Sequence, residues 1–412
     1  MQGKKINKTL LILILGMLSA ICPFSIDMYL AGFPAIAADL HTTVAHISLS
    51  LSSFFIGISV GQFIYGPLLD RYGRKKPLYI GLILYIAASV GCAMAVTADI
   101  LIALRLIQAL GSCVGMVASR AIIRDIFPVN EIAKVFSKLM LVIAVSPIIA
   151  PTLGSYIVTA YGWHVVFVIL AMMALLILIA VHFVLPDSMQ PGTASSLRPS
   201  IIVKNYLLVL KTPQFYTYAF TGAIAAAGLY AYISGSPYVF IQFFKVSEKH
   251  YGWIFAGVAL GLITASQVNS LLLKRFSSQQ IIRIAIFCQM TTGAVLFLGS
   301  VNGSLNVYAM IGLIGLFLSC QGFVFPNTSA LSMAPFQKHA GSASAMMGGI
   351  QMILGALSSM AVSALSNGTV MPMTGVMALC SLTAVCMLFI GNRIITYKER
   401  SLEIKEETLS RI

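Results

Sequence analysis

The stretch GPLLDRYGRKKPL, residues 66–78, places one carboxylate and several cations between two long apolar runs. The runs on either side, about 48–69 and 77–96, are each long enough to cross a bilayer as a helix. A tight charged turn between two such runs is typical of the connection between membrane-spanning helices. The stretch therefore predicts that the chain folds in lipid.

The composition of the whole chain supports an integral membrane protein. Of its 412 residues, 58% are hydrophobic and 9% are charged, whereas soluble domains carry about 25% charged residues. Only helices and closed barrels satisfy their backbone in lipid, and the runs lack the alternation of barrel strands. By length, the predicted helical spans are 9–30, 48–69, 77–96, 100–123, 133–158, 163–185, 213–240, 252–273, 281–301, 305–326, 341–365 and 371–390.

The basic residues predict the orientation. With twelve spans, both termini and the even-numbered connections lie on one side. Of the 26 lysines and arginines, only Lys245, Lys249 and Arg105 lie elsewhere. Because cytoplasmic loops are rich in Lys and Arg, we expect both termini to be cytoplasmic, in a bacterial inner membrane. The net charge of +14 then reflects topology. No basic soluble domain is present, so we predict no nucleic-acid partner.

Other classes of site have no support in the sequence. The six histidines show no metal-ligand spacing, so no metal site is predicted, and no Walker-type phosphate loop is present. The seven cysteines fall within predicted spans, which argues against a disulfide framework. We therefore expect neither ATP nor a cofactor to power the protein, and the chain is not predicted to be an enzyme.

Residues 66–78 match the pattern G-x-L-x-D-R-x-G-R-[RK] and so resemble the signature of the major facilitator superfamily. In that family the turn belongs to a conformational latch on the cytoplasmic side. The resemblance implies that Asp70 meets the helix start near Gly341, where the dipole favours an anion, and that Arg74 pairs with Asp125. The alternative is that Arg71, Arg74 and the lysines only anchor the topology. The predicted latch residues are Gly66, Asp70, Arg71, Gly73, Arg74 and Asp125.

Two further stretches resemble motifs of the same superfamily. RLIQALGS, residues 105–112, resembles R-x-x-Q-G-x-G-A at Arg105, Gln108 and Gly111. APTLGS, residues 150–155, resembles the antiporter motif G-P-x-x-G-G at Pro151 and Gly154. The antiporter motif is associated with exporters rather than symporters. Helix packing alone would also account for its proline and glycine.

Five stretches narrow the resemblance to the bicyclomycin-resistance (Bcr/CflA) branch of drug–proton antiporters. They are SIDMYL (25–30), GWHVVF (162–167), YISGSPYVF (232–240), PNTSAL (326–331) and GSASAMMGGIQ (341–351). The resemblance covers about residues 10–390 and implies an all-α major facilitator fold, with 12 transmembrane helices in two six-helix pseudo-repeat bundles, and a monomer. Residues 31–33 read Ala-Gly-Phe, where relatives usually have Pro-Ala-Leu.

The longest connection separates six spans from six. The predicted units are an N-terminal bundle at 1–185, a cytoplasmic linker at 186–212, a C-terminal bundle at 213–391 and a cytoplasmic tail at 392–412. Such halves match the parallel repeats of major facilitator transporters, whose substrate site lies between them near the midplane. The predicted substrate-binding residues are Met28, Tyr29, Gln62, Gln108, Tyr230, Tyr232, Gln321, Asn327 and Gln351.

Asp27 is the only charged residue between Lys8 and Asp39. Intramembrane charges are costly and usually functional. Arg105 lies at a similar predicted depth, and the second half has no charge deep inside a span. We predict that Asp27 and Arg105 couple transport to protons, with Asp27 as the carrier. A permanent pair would keep Asp27 ionised, so either the pair loosens or Arg105 binds Gln108 and backbone carbonyls. Substrate binding without protonation and a purely structural role are the alternatives for Asp27.

These features predict an antiporter that exports small amphipathic drugs of the bicyclomycin, chloramphenicol or sulfonamide type by alternating access, driven by the proton gradient. Export of an endogenous metabolite, such as an amino-acid derivative, siderophore or sugar, is the alternative. A substrate-uptake symporter conflicts with the antiporter motif. A membrane receptor or enzyme would need a soluble domain that the chain lacks.

Overall fold

The computed structural model describes residues 8–185, 199–336 and 340–410, and these contain helices but no strand. Twelve of the described helical segments are long and apolar enough to cross a membrane, which confirms the predicted number of spans. The helices are α1 (Lys8–Asp27), α2 (Phe33–Asp39), α3 (Val44–Tyr72), α4 (Lys75–Ala93), α5 (Ala98–Ile126), α6 (Val129–Tyr161), α7 (Trp163–Val184), α8 (Pro199–Leu210), α9 (Pro213–Pro237), α10 (Glu248–Leu272), α11 (Ser278–Val301), α12 (Val307–Met333), α13 (Ala340–Ala364) and α14 (Met371–Ser410).

Several helices extend beyond the apolar runs from which they were predicted. α3 and α6 each gain several residues at both ends, because a helix continues through polar residues until a cap or a glycine ends it. Thr43 caps α3 by accepting a hydrogen bond from the His46 amide, and Gly73, with φ +79°, ends it. α14 runs without a break through the predicted tail boundary at 391/392. The first part of the predicted linker, 186–198, lies outside the described residues.

The first span is interrupted rather than continuous. α1 ends at Asp27, a single 3₁₀ turn covers Leu30–Gly32, and α2 then completes the crossing. Pro34 lies in the first turn of α2, where its missing N–H leaves no helical hydrogen bond unmade. The interruption places Asp27 at the carboxyl end of a helix, deep within the span.

The helix ends define two faces of the bundle. The terminal face carries the start of α1, the α3–α4 turn and the end of α14, and the opposite face carries the α2–α3, α4–α5 and α6–α7 connections. Lys8 and Glu131 form an ion pair of 2.9 Å at the terminal face. At the opposite face, the Trp163 indole donates a hydrogen bond of 3.1 Å to Asp39.

Two helix pairs join the halves. Along α3 and α13, Ser52 Oγ donates to Ser359 Oγ over 2.9 Å, and Ser59 Oγ donates to the Gly349 carbonyl over 3.1 Å. Along α6 and α10, Gly252 packs directly against Ser155 and the backbone around it. Glycines and serines of this kind let helices approach closely. The halves are therefore held together along two seams.

The seams are closed toward the opposite face in this conformation. Ser363 Oγ donates to the Ala45 carbonyl there, and Thr159 Oγ1 donates to Glu248 over 3.2 Å. Near the terminal face, a Cβ built at Gly66 of α3 or Gly341 of α13 would meet no neighbouring atom within 4 Å. Neither glycine is therefore a point of close helix contact among the described residues.

Candidate functional site

A buried polar network surrounds Arg105, which has no exposed surface. Its Nη1 donates to Gln108 Oε1 over 2.6 Å, and its Nη2 donates to the Ser25 carbonyl over 2.8 Å. Gln108 Nε2 in turn donates to Ser89 Oγ over 2.7 Å. Ser25 Oγ shares a hydrogen bond of 2.6 Å with the Tyr85 hydroxyl. The network therefore ties α5 to α1 and α4 within the first half.

Aromatic rings cover the remaining faces of the Arg105 guanidinium. Its Cζ lies 4.3 Å from the ring centroid of Tyr29 and 4.1 Å from that of Phe54. A desolvated cation gains about 2 kcal/mol over such a face. The Tyr29 hydroxyl shares a hydrogen bond of 2.9 Å with Ser50 Oγ. Rings, an amide and a carbonyl thus accommodate the buried charge, while Arg105 Nε has no hydrogen-bond partner among the described residues.

Asp27 lies at the carboxyl end of α1 with only 4% of its surface exposed. Within the described parts of the chain, its carboxyl group has neither a hydrogen bond nor an ion pair. It interacts electrostatically with Cys22 of its own helix and with Tyr230, Tyr232 and Tyr251 of the second half. A helix end carries partial negative charge, so α1 gives a carboxylate no stabilisation. Asp27 therefore faces the seam between the halves without a fixed partner.

Asp27 and Arg105 do not contact each other through their charged groups in the described structure. Arg105 reaches the carbonyl of Ser25, two residues before Asp27, but the described structure contains no ion pair between the two charged groups. Of the arrangements left open by the sequence, it shows the one in which Arg105 binds Gln108 and a backbone carbonyl. The coupling role of both residues remains a prediction.

The motif turn at 66–78 is built around Arg74. Its Nε donates to Asp125 Oδ2 and its Nη1 to Asp70 Oδ1, each over 2.7 Å. Burial lowers the pKa of Arg74, but the hydrogen bonds to Asp125 and Asp70 outweigh it, and the pKa is raised overall. These contacts connect α3, α4 and α5 within the first half.

Asp70 was predicted to meet the helix start near Gly341, and residues 337–339 just before that start lie outside the described residues. The Asp70 side chain is 48% exposed and bonded to Arg74, and the described residues show no contact between it and Gly341. The Arg71 guanidinium lies over the ring of Tyr72, 5.5 Å from its centroid. The latch role of these residues stays a prediction.

The family model of the Major Facilitator Superfamily matches residues 15–359. The chain belongs to this superfamily. It is 33% identical to a Bacillus subtilis protein named "Uncharacterized MFS-type transporter YdgK", over 88% of this chain and 90% of that protein. It is 29% identical to a Haemophilus influenzae "Bicyclomycin resistance protein homolog", over 91% and 94%. It is 28% identical to the Escherichia coli "Multidrug resistance protein MdtL", over 89% and 91%.

Solved structures of the superfamily share the fold. A bacterial homologue of the human lysosomal transporter Spinster has a TM-score of 0.72 at 13% identity, covering 95% of this chain and 98% of that one. A D-xylose–proton symporter also has a TM-score of 0.72, at 14% identity, with coverage of 92% and 97%. The predicted resemblance and the major facilitator fold are thereby confirmed. The protein is a multi-pass membrane transporter and not an enzyme.

The first-half residues predicted to bind substrate lie in three different places. Tyr29 and Gln108 belong to the network of Arg105, because a buried guanidinium needs a ring face and an acceptor, and their role in substrate binding stays a prediction. The Met28 carbonyl packs against Gly154 of the antiporter motif so closely that a Cβ there would overlap it. Gln62 lies in the α3–α13 seam, where its amide contacts Gly348.

The second-half residues also divide into two groups. Tyr230 lies at the seam with its ring centroid 4.7 Å from that of Phe55. The Tyr232 hydroxyl and both amide atoms of Gln321 are buried without a hydrogen-bond partner in the described residues. Asn327 instead donates to Asn269 Oδ1 over 2.7 Å inside the second half, and Gln351 lines a small cavity of about 10 Å³.

The sequence reasoning missed Phe54, Tyr251 and Phe255. Phe54 covers Arg105, and the Tyr251 hydroxyl shares a hydrogen bond of 2.9 Å with Ser236 Oγ beside the seam. Tyr251 and Phe255 are four residues apart on α10, which places them on one face of that helix. That spacing was the available signal. The described residues contain no cluster of His, Cys, Asp or Glu that could hold a metal ion.

Proposed function

We propose that the protein is a proton-coupled antiporter that exports small amphipathic drugs of the bicyclomycin, chloramphenicol or sulfonamide type. The names of two relatives, a bicyclomycin resistance protein homologue and a multidrug resistance protein, support this substrate class. In this proposal, the terminal face is cytoplasmic because it carries most of the basic residues. The membrane is the bacterial inner membrane.

The observation that carries the proposal is the buried Asp27 carboxyl group at the seam, without a fixed partner. A proton carrier must be able to exist both neutral and ionised. Burial favours the neutral form of a carboxyl group, and a permanent cation partner would favour the ionised form. Because Arg105 binds Gln108, a carbonyl and two rings and forms no ion pair with Asp27 among the described residues, Arg105 does not hold Asp27 in one state.

The proposed cycle follows from the face of the bundle at which the two seams are closed. In the conformation described, hydrogen bonds close the seams toward the outer face, so in the proposed cycle drug enters from the cytoplasm as Asp27 releases its proton inward. The halves then rock about the site, and Asp70 engages the start of α13 near Gly341 to latch the cytoplasmic side. Asp27 takes a proton from outside as the drug leaves.

The second half offers neutral polar groups and aromatic surface for a drug. Tyr232 and Gln321 carry buried polar atoms without partners in the described residues, and such atoms are costly unless something hydrogen-bonds to them. The Phe255 ring stacks on that of Tyr232, and the Tyr230 ring packs against Phe55 of the first half. A small molecule with a few hydrogen-bonding groups on an apolar frame matches this chemistry.

The deciding experiment uses inverted membrane vesicles energised to acid inside, so that outward drug transport dissipates the gradient. The panel contains bicyclomycin, chloramphenicol and a sulfonamide, tested on wild type, Asp27→Asn and the control Asp99→Asn. Asp99 is a suitable control because its carboxylate is exposed at the outer face, 85% accessible. We expect drug-dependent dissipation in wild type and the control, and none in Asp27→Asn.

Each other outcome changes the proposal in a defined way. A drug response that survives in Asp27→Asn would remove Asp27 as the proton carrier. No drug response from folded wild type would favour the metabolite exporter. Counterflow of a labelled substrate, which needs no gradient, then shows whether Asp27→Asn still carries substrate and has lost only the coupling.

A further inference from the structure

A cavity with polar lining residues lies between α11 and α14 of the second half, at the terminal face. Its volume is about 380 Å³, many times the roughly 10–15 Å³ that a single water needs. Arg283 of α11 contributes one wall, and Asn392, Arg393, Thr396 and Tyr397 of α14 contribute the other. The transport cycle proposed above uses none of these residues.

The charge of this cavity is one-sided. Arg283 and Arg393 both line it, and none of the described lining side chains is acidic. Within the part of the chain that the structure describes, neither arginine forms an ion pair. Asn392 Oδ1 accepts a hydrogen bond of 3.2 Å from the Tyr218 hydroxyl, which anchors the cavity wall to α9. Two cations in a concave site, with no carboxylate among its described lining residues, favour an anionic ligand.

The surface next to the cavity is apolar and exposed. Ile284 is 65% exposed and Ile390 is 60% exposed, each one turn or less from a lining residue. Phe287 and Phe389 lie edge to face across α11 and α14, with ring centroids 5.6 Å apart. Both helices are membrane spans. The cavity therefore lies where the lipid-facing surface meets the terminal face, which is where phospholipid headgroups are expected.

We propose that this cavity binds the headgroup of an anionic phospholipid. The phosphate contacts Arg283 and Arg393, and the acyl chains lie along the surface formed by Phe287 and Phe389. A zwitterionic lipid is disfavoured because its ammonium group would lie near two cations, with no acidic side chain among the described lining residues. A free anion would use the arginines but not the apolar surface, which distinguishes a lipid from dissolved phosphate.

The test is a titration of delipidated, detergent-solubilised full-length protein, read by native mass spectrometry. The ligands are phosphatidylglycerol, phosphatidylcholine and inorganic phosphate. The variant is Arg283→Gln/Arg393→Gln, and the matched control is Lys274→Gln/Arg275→Gln, which removes the same charge from exposed positions on the same face. Thermal unfolding in detergent checks that both variants are folded.

We expect wild type and the control to bind phosphatidylglycerol in preference to phosphatidylcholine. In the Arg283→Gln/Arg393→Gln variant the affinity for phosphatidylglycerol falls roughly tenfold to thirtyfold, since each basic residue contributes on the order of 1 kcal/mol to anionic-lipid binding. Equal binding by this variant and the control would refute the site. Displacement of the lipid by millimolar inorganic phosphate would show a general anion site and overturn the assignment to lipid.

Discussion

Replacing Asp27 and Arg105, singly and together, tests whether the two buried groups are energetically independent. Arg105→Met removes two charge-assisted hydrogen bonds, to Gln108 and to the Ser25 carbonyl. At about 1.5 kcal/mol or more each, their loss predicts a decrease of about 3 kcal/mol in the free energy of unfolding. Asp27→Asn removes no recorded contact and nearly conserves shape, so we expect a change below about 1 kcal/mol.

The double variant gives the coupling between them. Groups without a shared contact are additive to within about 0.5 kcal/mol, so the coupling energy should be no larger than that. A buried ion pair behaves differently, because removing one partner costs about 3–5 kcal/mol and leaves an uncompensated charge. The assay is equilibrium unfolding by SDS in mixed micelles, for wild type, both single variants and the double variant at one pH.

The result that refutes this reasoning is a large loss from Asp27→Asn. If that substitution alone costs about 3 kcal/mol and the coupling energy exceeds about 1.5 kcal/mol, Asp27 and Arg105 form a pair in the folded protein. The proposed proton carrier would then be held ionised, and the coupling scheme would need a step that separates the pair. Arg105→Lys adds a check, because an ammonium keeps the charge but cannot reach both acceptors as a planar fork does.

Three further predictions follow from the packing of the halves and of the motif turn. Gly154→Ala puts a Cβ against a backbone carbonyl at the α1 break and should cost about 1–3 kcal/mol of unfolding free energy, whereas Gly257→Ala meets nothing within 4 Å and should stabilise. Cysteines at Ser52 and Ser359, whose hydroxyl oxygens are 2.9 Å apart, should crosslink under oxidation and stop transport, and reduction should restore it. Arg74→Lys should lower drug-dependent proton flux severalfold while the folded yield, measured by size-exclusion chromatography, stays near that of wild type; unchanged flux would remove this residue from the latch.

The sequence was sufficient for the spans and for the two unusual charges. Apolar length and the turn at 66–78 predict twelve crossings, since the bilayer allows few alternatives to a helix. Asp27 and Arg105 stand out because charge is rare inside a span. The partners of Arg105 could not be predicted fully, because they come from α1, α3 and α5 and depend on how three helices pack. The sequence indicated only Gln108, three residues along the same helix.

Two features of the described structure were not predicted from the sequence, for different physical reasons. The interruption of the first span after Asp27 was not predicted, because the run of apolar residues is continuous and only Pro23 and Pro34 indicate a bend. The pairing of Asp70 with Arg74 was not predicted either, because it depends on how the turn at 66–78 folds, and the contact between Asp70 and Gly341 stays a prediction.

The proposed coupling follows from the division of chemistry between the halves. The first half holds Asp27 and Arg105, while the second half contains buried neutral polar groups, among them Tyr232 and Gln321. Because the partners of Arg105 all belong to the first half, its surroundings move with it as one unit when the halves rock. Asp27 instead faces tyrosines of the second half, so the same motion changes its neighbours. In the proposed cycle, rocking therefore alters the proton affinity of Asp27, while Arg105 keeps its contacts within the first half. The proton gradient then drives transport through the protonation of one carboxyl group.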